Sequence, residues 1–471
     1  MHEDSLRGNA AVTIEHVVEN NVCVGCGACN VATGGRIPVV LRPQGYYQAD
    51  LAGVSQSDLD IGSRVCPFSD SAKNETELAQ TRYPELAEDP RIGKYGSLLA
   101  GRIKDDSQIP ASSSGGITTW VLRRLLETGE VDGVIHVGNT DQPMFGYVVS
   151  ETLDELQDGR KSKYHPAKFA EAIRSVRGNG KKYAFVGVPC AIKAVRLLRE
   201  GDETLAAQLK YLVGIVCGHL KSTAYAESFA WQLGVPPQKL DTVDFRIKDP
   251  SRTSREYKFG ARAKGSDVWQ EAPTLSLIGG SWGHAVFQLN ACNYCDDIFA
   301  EAGDIAIGDA WLSKYEIDWR GTNVVVARDQ KLAELLSQGA QDGDLTLDVL
   351  GPDDVARTQA GNFRHRREGL AVRLADDRDA GRWSPTKRVA PGRDHVTPDR
   401  VELIRRRRAL SETTHEAFEN AKAADDLQVY LNAVRPLIEE YQQATRMRFS
   451  TRVKNRLKRD LWKVLRKVKA S

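Results

Sequence analysis

The chain has 471 residues, 41% of them hydrophobic and 27% charged, with eight cysteines and a net charge of +2. That is material for about two to four domains with buried cores. No run of about 18 apolar residues reads as a membrane span, and the opening residues His2, Glu3 and Asp4 lack the basic and apolar regions of a secretory signal. Cysteines in such a chain read as reduced, cytoplasmic thiols bound to metal and not as disulfides.

The first block, 1–75, carries Cys23-Val24-Gly25-Cys26-Gly27-Ala28-Cys29, and Cys66-Pro67 follows after a 36-residue gap. Three cysteines at two-residue gaps let one short loop wrap a cluster, and a remote fourth followed by proline completes the ligand pattern of a 4Fe-4S ferredoxin site. Gly25 and Gly27 permit the positive-φ turns that aim backbone N–H groups at the sulfurs. Zinc is the competing reading, although zinc sites more often pair two C-x2-C units. Ile37–Leu41 and Gly45–Tyr47 read as a hairpin inserted before Cys66. Asn74–Lys94 reads as a polar linker with a turn or two of helix.

A strand–loop–helix rhythm follows. Ser97–Ile103 reads as a strand and Pro110–Gly116 as a loop. Ile117–Thr128 reads as a helix whose apolar stripe is Ile117, Val121, Leu122, Leu125 and Leu126, capped by Gly129. Val131–Val137 returns as a strand. Small residues leading into a helix N-terminus let phosphate approach the first amides; a plain N-cap explains the same residues. Pro166–Arg177 reads as a helix, Lys182–Val188 as a buried strand, and Pro189-Cys190 opens the next helix. Tyr211–Val216 is a strand ending at Cys217-Gly218-His219, before a helix over Ser222–Leu233. Both cysteines stand at carboxyl ends of apolar strands, where open α/β sheets keep their sites. Val243–Ala263 alternates as antiparallel strands around Asp249-Pro250-Ser251. Cys292-Asn293-Tyr294-Cys295 precedes a strand and turn over Gly303–Trp311, a strand over Gly321–Ala327 and a helix over Gln330–Gln338. From about Gly361 the chain turns charged and helical, broken at Pro391 and Pro398.

Cys190, Cys217, Cys292 and Cys295 make a second set of four. If their strands are neighbours, all four converge on a second 4Fe-4S cluster, with zinc or a lone reactive Cys190 as alternatives. Two clusters imply electron transfer, and flavin is the common converter between one- and two-electron chemistry.

At this point the sequence resembles the coenzyme F420 hydrogenase/dehydrogenase beta-subunit family, the group that holds the F420-reducing hydrogenase beta subunit and 7-hydroxymethyl chlorophyll a reductase. The matching pieces are the Cys23–Cys29 run, Ser113–Gly116, Ser162-Lys163-Tyr164, Gly187–Cys190, Cys217–His219, Cys292–Cys295 and Gly308-Asp309-Ala310-Trp311, in family order across roughly residues 20–345. The resemblance implies a mixed α/β (α+β) fold. It would comprise a ferredoxin-like segment over 1–75 and a central mixed-sheet FAD-binding core in two parts, 95–165 and 166–345; the charged pattern itself adds a helical extension over 360–471. It implies FAD, two 4Fe-4S clusters and hydride exchange with coenzyme F420 or another organic substrate. Ser113, Ser114, Gly115 and Gly116 would hold the FAD pyrophosphate, helped by Ser162, Lys163 and Tyr164. Lys163 would stabilise an anionic reduced flavin, His219 would donate a proton, and Asp309 would orient the substrate. The gap between Cys29 and Cys66 is longer than in a tight ferredoxin run, and the residues after Gly361 fall outside these motifs. A ferredoxin-like donor or a partner redox subunit in an oligomer would exchange the electrons. A non-catalytic electron-transfer subunit and a zinc-stabilised interaction protein are the alternative functions.

The charge is unevenly placed. From Arg446 onward eleven Lys/Arg face one acid, Asp460, so the tail is +10 and the remainder −8. Met447, Phe449, Val453, Leu457, Leu461, Val464, Leu465 and Val468 fall at helical spacing among them. Such a basic amphipathic helix suits an acidic protein surface or a peripheral place on an anionic membrane; no recognition motif points to nucleic acid.

Overall fold

Eight extended segments line up as one mixed sheet in the computed structural model, which describes residues 12–446. In chain order they are β1 (Ser97–Ile103), β2 (Gly133–Asn139), β3 (Phe145–Ser150), β4 (Tyr183–Gly187), β5 (Leu209–Ile215), β6 (Ile305–Asp309), β7 (Asn323–Ala327) and β8 (Leu345–Val349). Their order across the sheet is β8-β1-β7-β6-β5-β4-β2-β3. The neighbours among β6, β5, β4 and β2 pair in parallel, with Ile305 opposite Val213 and Val213 opposite Val186. All other pairings are antiparallel. The fold is therefore mixed α/β. The parallel strands carry near-continuous apolar runs because helices cover both faces: Ala184, Phe185, Leu212, Val213, Ile305 and Ile307 are all buried.

Helix α1 (Ile117–Glu127) buries Ile117, Trp120, Val121, Leu122 and Leu125, close to the stripe the spacing predicts. Helix α2 (Pro189–Gly201) starts directly after β4 with proline at its first turn, where the missing N–H is not needed. The carboxyl ends of β1, β4, β5 and β6 and the start of β7 share one edge of the sheet. That edge collects the Ser112–Gly116 loop, Cys190, Cys217, Asp309 and Asn323.

Several elements differ from their sequence reading. Asn74–Lys94 is built structure: a helix Glu75–Arg82 and a small hairpin of Ala87–Asp89 with Gly93–Tyr95. Only Leu78, Ala79 and Ile92 supply its apolar burial, so composition made it look like linker. Its Tyr83 hydroxyl donates to buried Asp304 at 2.6 Å, which Arg196 also holds at 2.5 Å. The helix expected from Pro166 begins at Ala170, because Phe169 N–H donates to Cys26 O at 2.9 Å and keeps the preceding residues extended. The alternating stretch from Val243 gains a third strand, Trp269–Pro273, beyond Leu240–Ile247 and Lys258–Ala263. Edge strands β3 and β8 add to the sheet without a sequence signal.

The expected hairpin pairs Val39 with Ala49 and Leu41 with Tyr47. Beyond Gly361, a helix Gly369–Asp379 buries Leu370 and Leu374 in the same apolar cluster as Cys29, Cys66 and Cys295. Helix α3 (Pro398–Ala424) packs Leu410, Ala417, Phe418 and Ala421 against Phe229, Phe287 and Tyr430. No described helix is long and apolar enough to cross a membrane. The basic stripe from Met447 to Val468 lies outside the described residues.

Candidate functional site

The eight cysteines fall into two sets of four electrostatic neighbours. Burial pushes the Cys29 thiol well up, and Cys23, Cys26 and Cys66 add to the push as electrostatic neighbours. Burial does the same to Cys190, whose neighbours are Cys295, Cys217, Cys292 and, more weakly, Cys26. The two sets therefore adjoin through Cys26 and Cys190. Burial raises Cys66 and Cys217 to about 12 and Cys292 to about 11, so metal binding here must displace protons. Among the described residues no three His, Cys, Asp or Glu side chains are drawn together around a single ion.

Both sets are prepared for anionic sulfur. Gly25 (φ +64°) donates its N–H to Cys23 Sγ at 3.4 Å, and Ala49 N–H reaches the same sulfur at 3.5 Å. A Cβ on Gly25 would stand 2.3 Å from Tyr47 Cβ, so both the conformation and the space demand glycine. In the second set Leu220 N–H donates to Cys292 Sγ at 3.1 Å. Arg366 is 1% exposed, and its guanidinium donates to Cys295 Sγ, to Cys217 Sγ at 3.6 Å, and to the carbonyls of Gly218 and Asp297. Burial opposes its charge, but Cys295, Cys217 and Cys292 outweigh that and hold it above its ordinary value. The donor set thus fits a buried, thiolate-held anionic cluster.

Arg366 went unrecognised in the sequence. It stands in the run Arg364-His365-Arg366-Arg367-Glu368, which reads as a solvated helix face. These residues form one wide π-helical turn, a form that recurs at functional sites. The turn brings Arg366 onto the cysteines.

One cavity of about 930 Å³ opens beside the sulfurs and is lined by Cys26, Cys190 and Cys217. That volume is at the upper end of the roughly 300–1,000 Å³ typical of cofactor and small-molecule sites. Ser113, Ser114, Gly116, Ser162, Lys163, Tyr164, His219 and Asp309 also line it; Gly115 lies beneath, where a Cβ would meet Gly101 O at 2.7 Å. Two segments far apart in sequence meet here, since Ser162 N–H donates to Ser113 Oγ at 2.6 Å.

The loop before α1 is held by two basic side chains: Arg246 donates to Ser113 O at 3.1 Å and Lys248, which burial lowers to about 7, to Ser114 O at 2.8 Å. The first helical amide, Ile117 N–H, is taken by Asn323 Oδ1 at 3.0 Å. Any phosphate held here therefore depends on the following amides and the flanking cations more than on that donor. Lys163 Nζ donates to Arg160 O at 2.7 Å and lies 5.2 Å from the Phe145 ring centre; burial lowers it to about 8, against the pull of Asp244. Asp309 grips Arg246 through two hydrogen bonds of 3.0 and 2.9 Å. Tyr164 packs against Trp282 and Phe245 with ring centres 4.9 and 5.2 Å away. His219 stacks on Trp282 at 4.2 Å, and its buried Nε2 has no partner among the described residues. Burial, then Lys221, Arg407 and Arg366, hold the imidazole neutral.

The family model described as the N-terminal part of the coenzyme F420 hydrogenase/dehydrogenase beta subunit matches residues 98–174, and that for its C terminus matches residues 180–352. The chain belongs to the coenzyme F420 hydrogenase/dehydrogenase beta-subunit family. This beta-subunit homologue is 23% identical over 316 residues to one of the subunits of the F420H2 dehydrogenase of Methanosarcina mazei, covering 64% of the chain and 81% of that protein. It is 24% identical over 311 residues to the coenzyme F420-dependent sulfite reductase of Methanocaldococcus jannaschii, covering 63% of the chain but only 43% of the larger relative. It is 24% identical over 263 residues to the beta subunit of the coenzyme F420 hydrogenase of Methanothermobacter thermautotrophicus, covering 54% of the chain and 84% of that protein. Among solved structures, a subunit of the F420-reducing NiFe hydrogenase complex of Methanosarcina barkeri aligns with a TM-score of 0.46 and 18% identity, covering 66% of the chain and all of that subunit.

Proposed function

We propose that this chain is an iron–sulfur flavoprotein oxidoreductase that passes electrons between two 4Fe-4S clusters and FAD, with hydride exchange to coenzyme F420 or reduction of an organic substrate. The observation that carries the reading is the junction of the two cysteine fours at Cys26 and Cys190, both of which also face the cavity. Cys23, Cys26, Cys29 and Cys66 would hold one cluster and Cys190, Cys217, Cys292 and Cys295 the other. FAD, when bound, exchanges a hydride with one partner and single electrons with another.

The chain's own groups divide the remaining work. Ser113, Ser114 and Gly116, with Arg246 and Lys248 behind them, suit a pyrophosphate. Lys163 holds a proton on Nζ that it can release near pH 8, a cation suited to an anionic reduced ring. Asp309 fixes Arg246 at the cavity wall. His219, being neutral, serves as a hydrogen-bonding partner and not as a cation. Trp282 and Tyr164 form an aromatic wall against which a planar ring could pack. Several relatives are named as subunits of hydrogenases or dehydrogenases, which favours exchange of electrons with a partner subunit or a ferredoxin-like protein.

The test is iron, sulfide and flavin analysis of anaerobically purified protein. About eight irons and one FAD per chain are expected. Cys26→Ser and Cys292→Ser should each remove about half the iron. Zinc in place of iron, or iron that neither substitution touches, would end the reading.

A further inference from the structure

The family match ends at residue 352, yet the cavity does not. The later part of the chain adds a wall of its own: Arg364, His365, Arg373, Arg400, Arg407 and Tyr441. Over the whole cavity eleven lysines and arginines face inward, and the one carboxylate among the lining residues, Asp309, is already held by Arg246.

At the added wall the imbalance is sharper. Arg407 donates to Gly283 O at 3.0 Å and otherwise faces the two ring nitrogens of His365 at 2.6 and 3.0 Å. Arg373 donates to the carbonyls of Asn293 and His365, both at 2.9 Å. Opposite them Lys221, 2% exposed, reaches only Val286 O and the faces of Tyr225 and Trp282. None of the three makes an ion pair with a carboxylate among the described residues. Arg364 is exposed and lines the same cavity. Beside this group is His219, 4% exposed, whose Nε2 meets no partner. Cys292 is the anionic neighbour that Arg407 and Lys221 share; beyond it, buried positive charges with no carboxylate partner are costly unless a further anion settles among them.

The geometry points to an oxyanion subsite built by the C-terminal extension, in which Arg407 and Arg364 grip a carboxylate or phosphoryl group of the substrate and His219 Nε2 hydrogen-bonds it. The assignment rests on the proposed function, since it names the substrate class for that cavity: an organic molecule with an acidic group some distance from its reacting centre. Arginine suits the role because its planar fork matches both oxyanions in bidentate fashion. Residues 98–352, together with the cysteine segment Cys23–Cys66, would then carry the redox machinery, and the extension would select the molecule that enters.

The test is calorimetric titration of the full-length, cofactor-loaded protein with two probe anions, inorganic phosphate and benzoate. At least one is expected to bind, and the one that binds decides between a phosphoryl and a carboxylate ligand. Arg407→Met and Arg364→Met should each weaken binding about tenfold or more, the effect of losing one charge-assisted hydrogen bond. Arg407→Lys should recover part of the loss. Arg364 is exposed, so its substitution keeps the test alive if Arg407→Met does not fold. Binding that ignores both methionine variants, or no binding of either probe at about 10 mM, overturns the subsite. Iron and flavin are measured on the same samples. Absent cofactors with variant-sensitive anion binding would sink the redox reading and leave the subsite, whereas full cofactors with variant-insensitive binding would do the reverse.

Discussion

Replacing Arg366 by methionine keeps most of the side-chain volume and removes one buried charge. The guanidinium lies 3.6 Å from Cys217 Sγ, is closer to Cys295 Sγ, and holds the carbonyls of Gly218 and Asp297. A unit charge acting on a thiolate at that distance, with an effective dielectric constant near 20, contributes about 4–5 kcal/mol. Charge sharing among the sulfurs leaves on the order of 2–3 kcal/mol for one added electron, or roughly 100 mV in a one-electron couple. The same change strips two carbonyls of their donor, and breaking a buried charge arrangement from one side costs about 3–5 kcal/mol. The expected result is protein that folds less stably and keeps the iron of the first cysteine set. Its second site should either be empty or have a reduction potential lower by roughly 100 mV. Iron analysis with potentiometric EPR titration reads both. Arg366→Lys should rescue charge but not geometry, because a lysine cannot span two sulfurs and two carbonyls. A methionine variant with full iron and an unmoved potential would refute the claim that this cation tunes the site.

Two further outcomes follow from the same geometry. Gly25→Ala places a side chain at φ +64° with its Cβ 2.3 Å from Tyr47 Cβ, so a loss of about 2–5 kcal/mol is expected from strain and overpacking; denaturant unfolding reads it, and a shift below about 0.5 kcal/mol would contradict the clash. Burial lowers Lys163 to about 8, so its cation is present at pH 7 and lost as the pH rises past 8. Affinity for an anionic flavin or substrate should fall between pH 7 and 9 in the native protein and stay level in Lys163→Arg, and equal pH profiles for the two proteins would remove Lys163 from the anion's surroundings.

What the sequence made legible was local. Two-residue gaps between Cys23, Cys26 and Cys29 declare their ligand geometry because one loop must wrap one site. Strands β4 and β5 were readable because parallel strands buried on both faces need unbroken apolar runs. Contacts that join distant segments left no such mark. Ser113 meets Ser162, and Asp309 meets Arg246, across 49 and 63 residues of sequence. Edge strand β8 carries exposed Thr346, Asp348 and Val349, and β3 is only half-buried between its two ends, so neither shows the unbroken apolar burial of the central strands. Arg366 was hardest of all, since a buried arginine and a solvated one look alike in a run of charged residues.

Net charge misleads for a related reason. Residues before the basic tail sum to −8, which alone suggests a protein that repels anions. The acids, however, are spent elsewhere: Asp304 on Arg196, Asp296 and Glu301 on Arg388, and Asp377 on Arg382 and Arg408. The cavity keeps the opposite sign, with Asp309 the one carboxylate among its lining residues. A potential at a site depends on nearby charge in a low dielectric, and acids on the far side of the molecule are screened within about 10 Å of salt water. The arrangement therefore attracts anions to one face of a mildly acidic body. Burial, and then the charge of Arg407, pull Lys221 and Arg373 well below their ordinary values, so holding these groups protonated here is costly. An anion held at the proposed subsite would remove part of that cost, and would thereby couple loading of the cavity to stability.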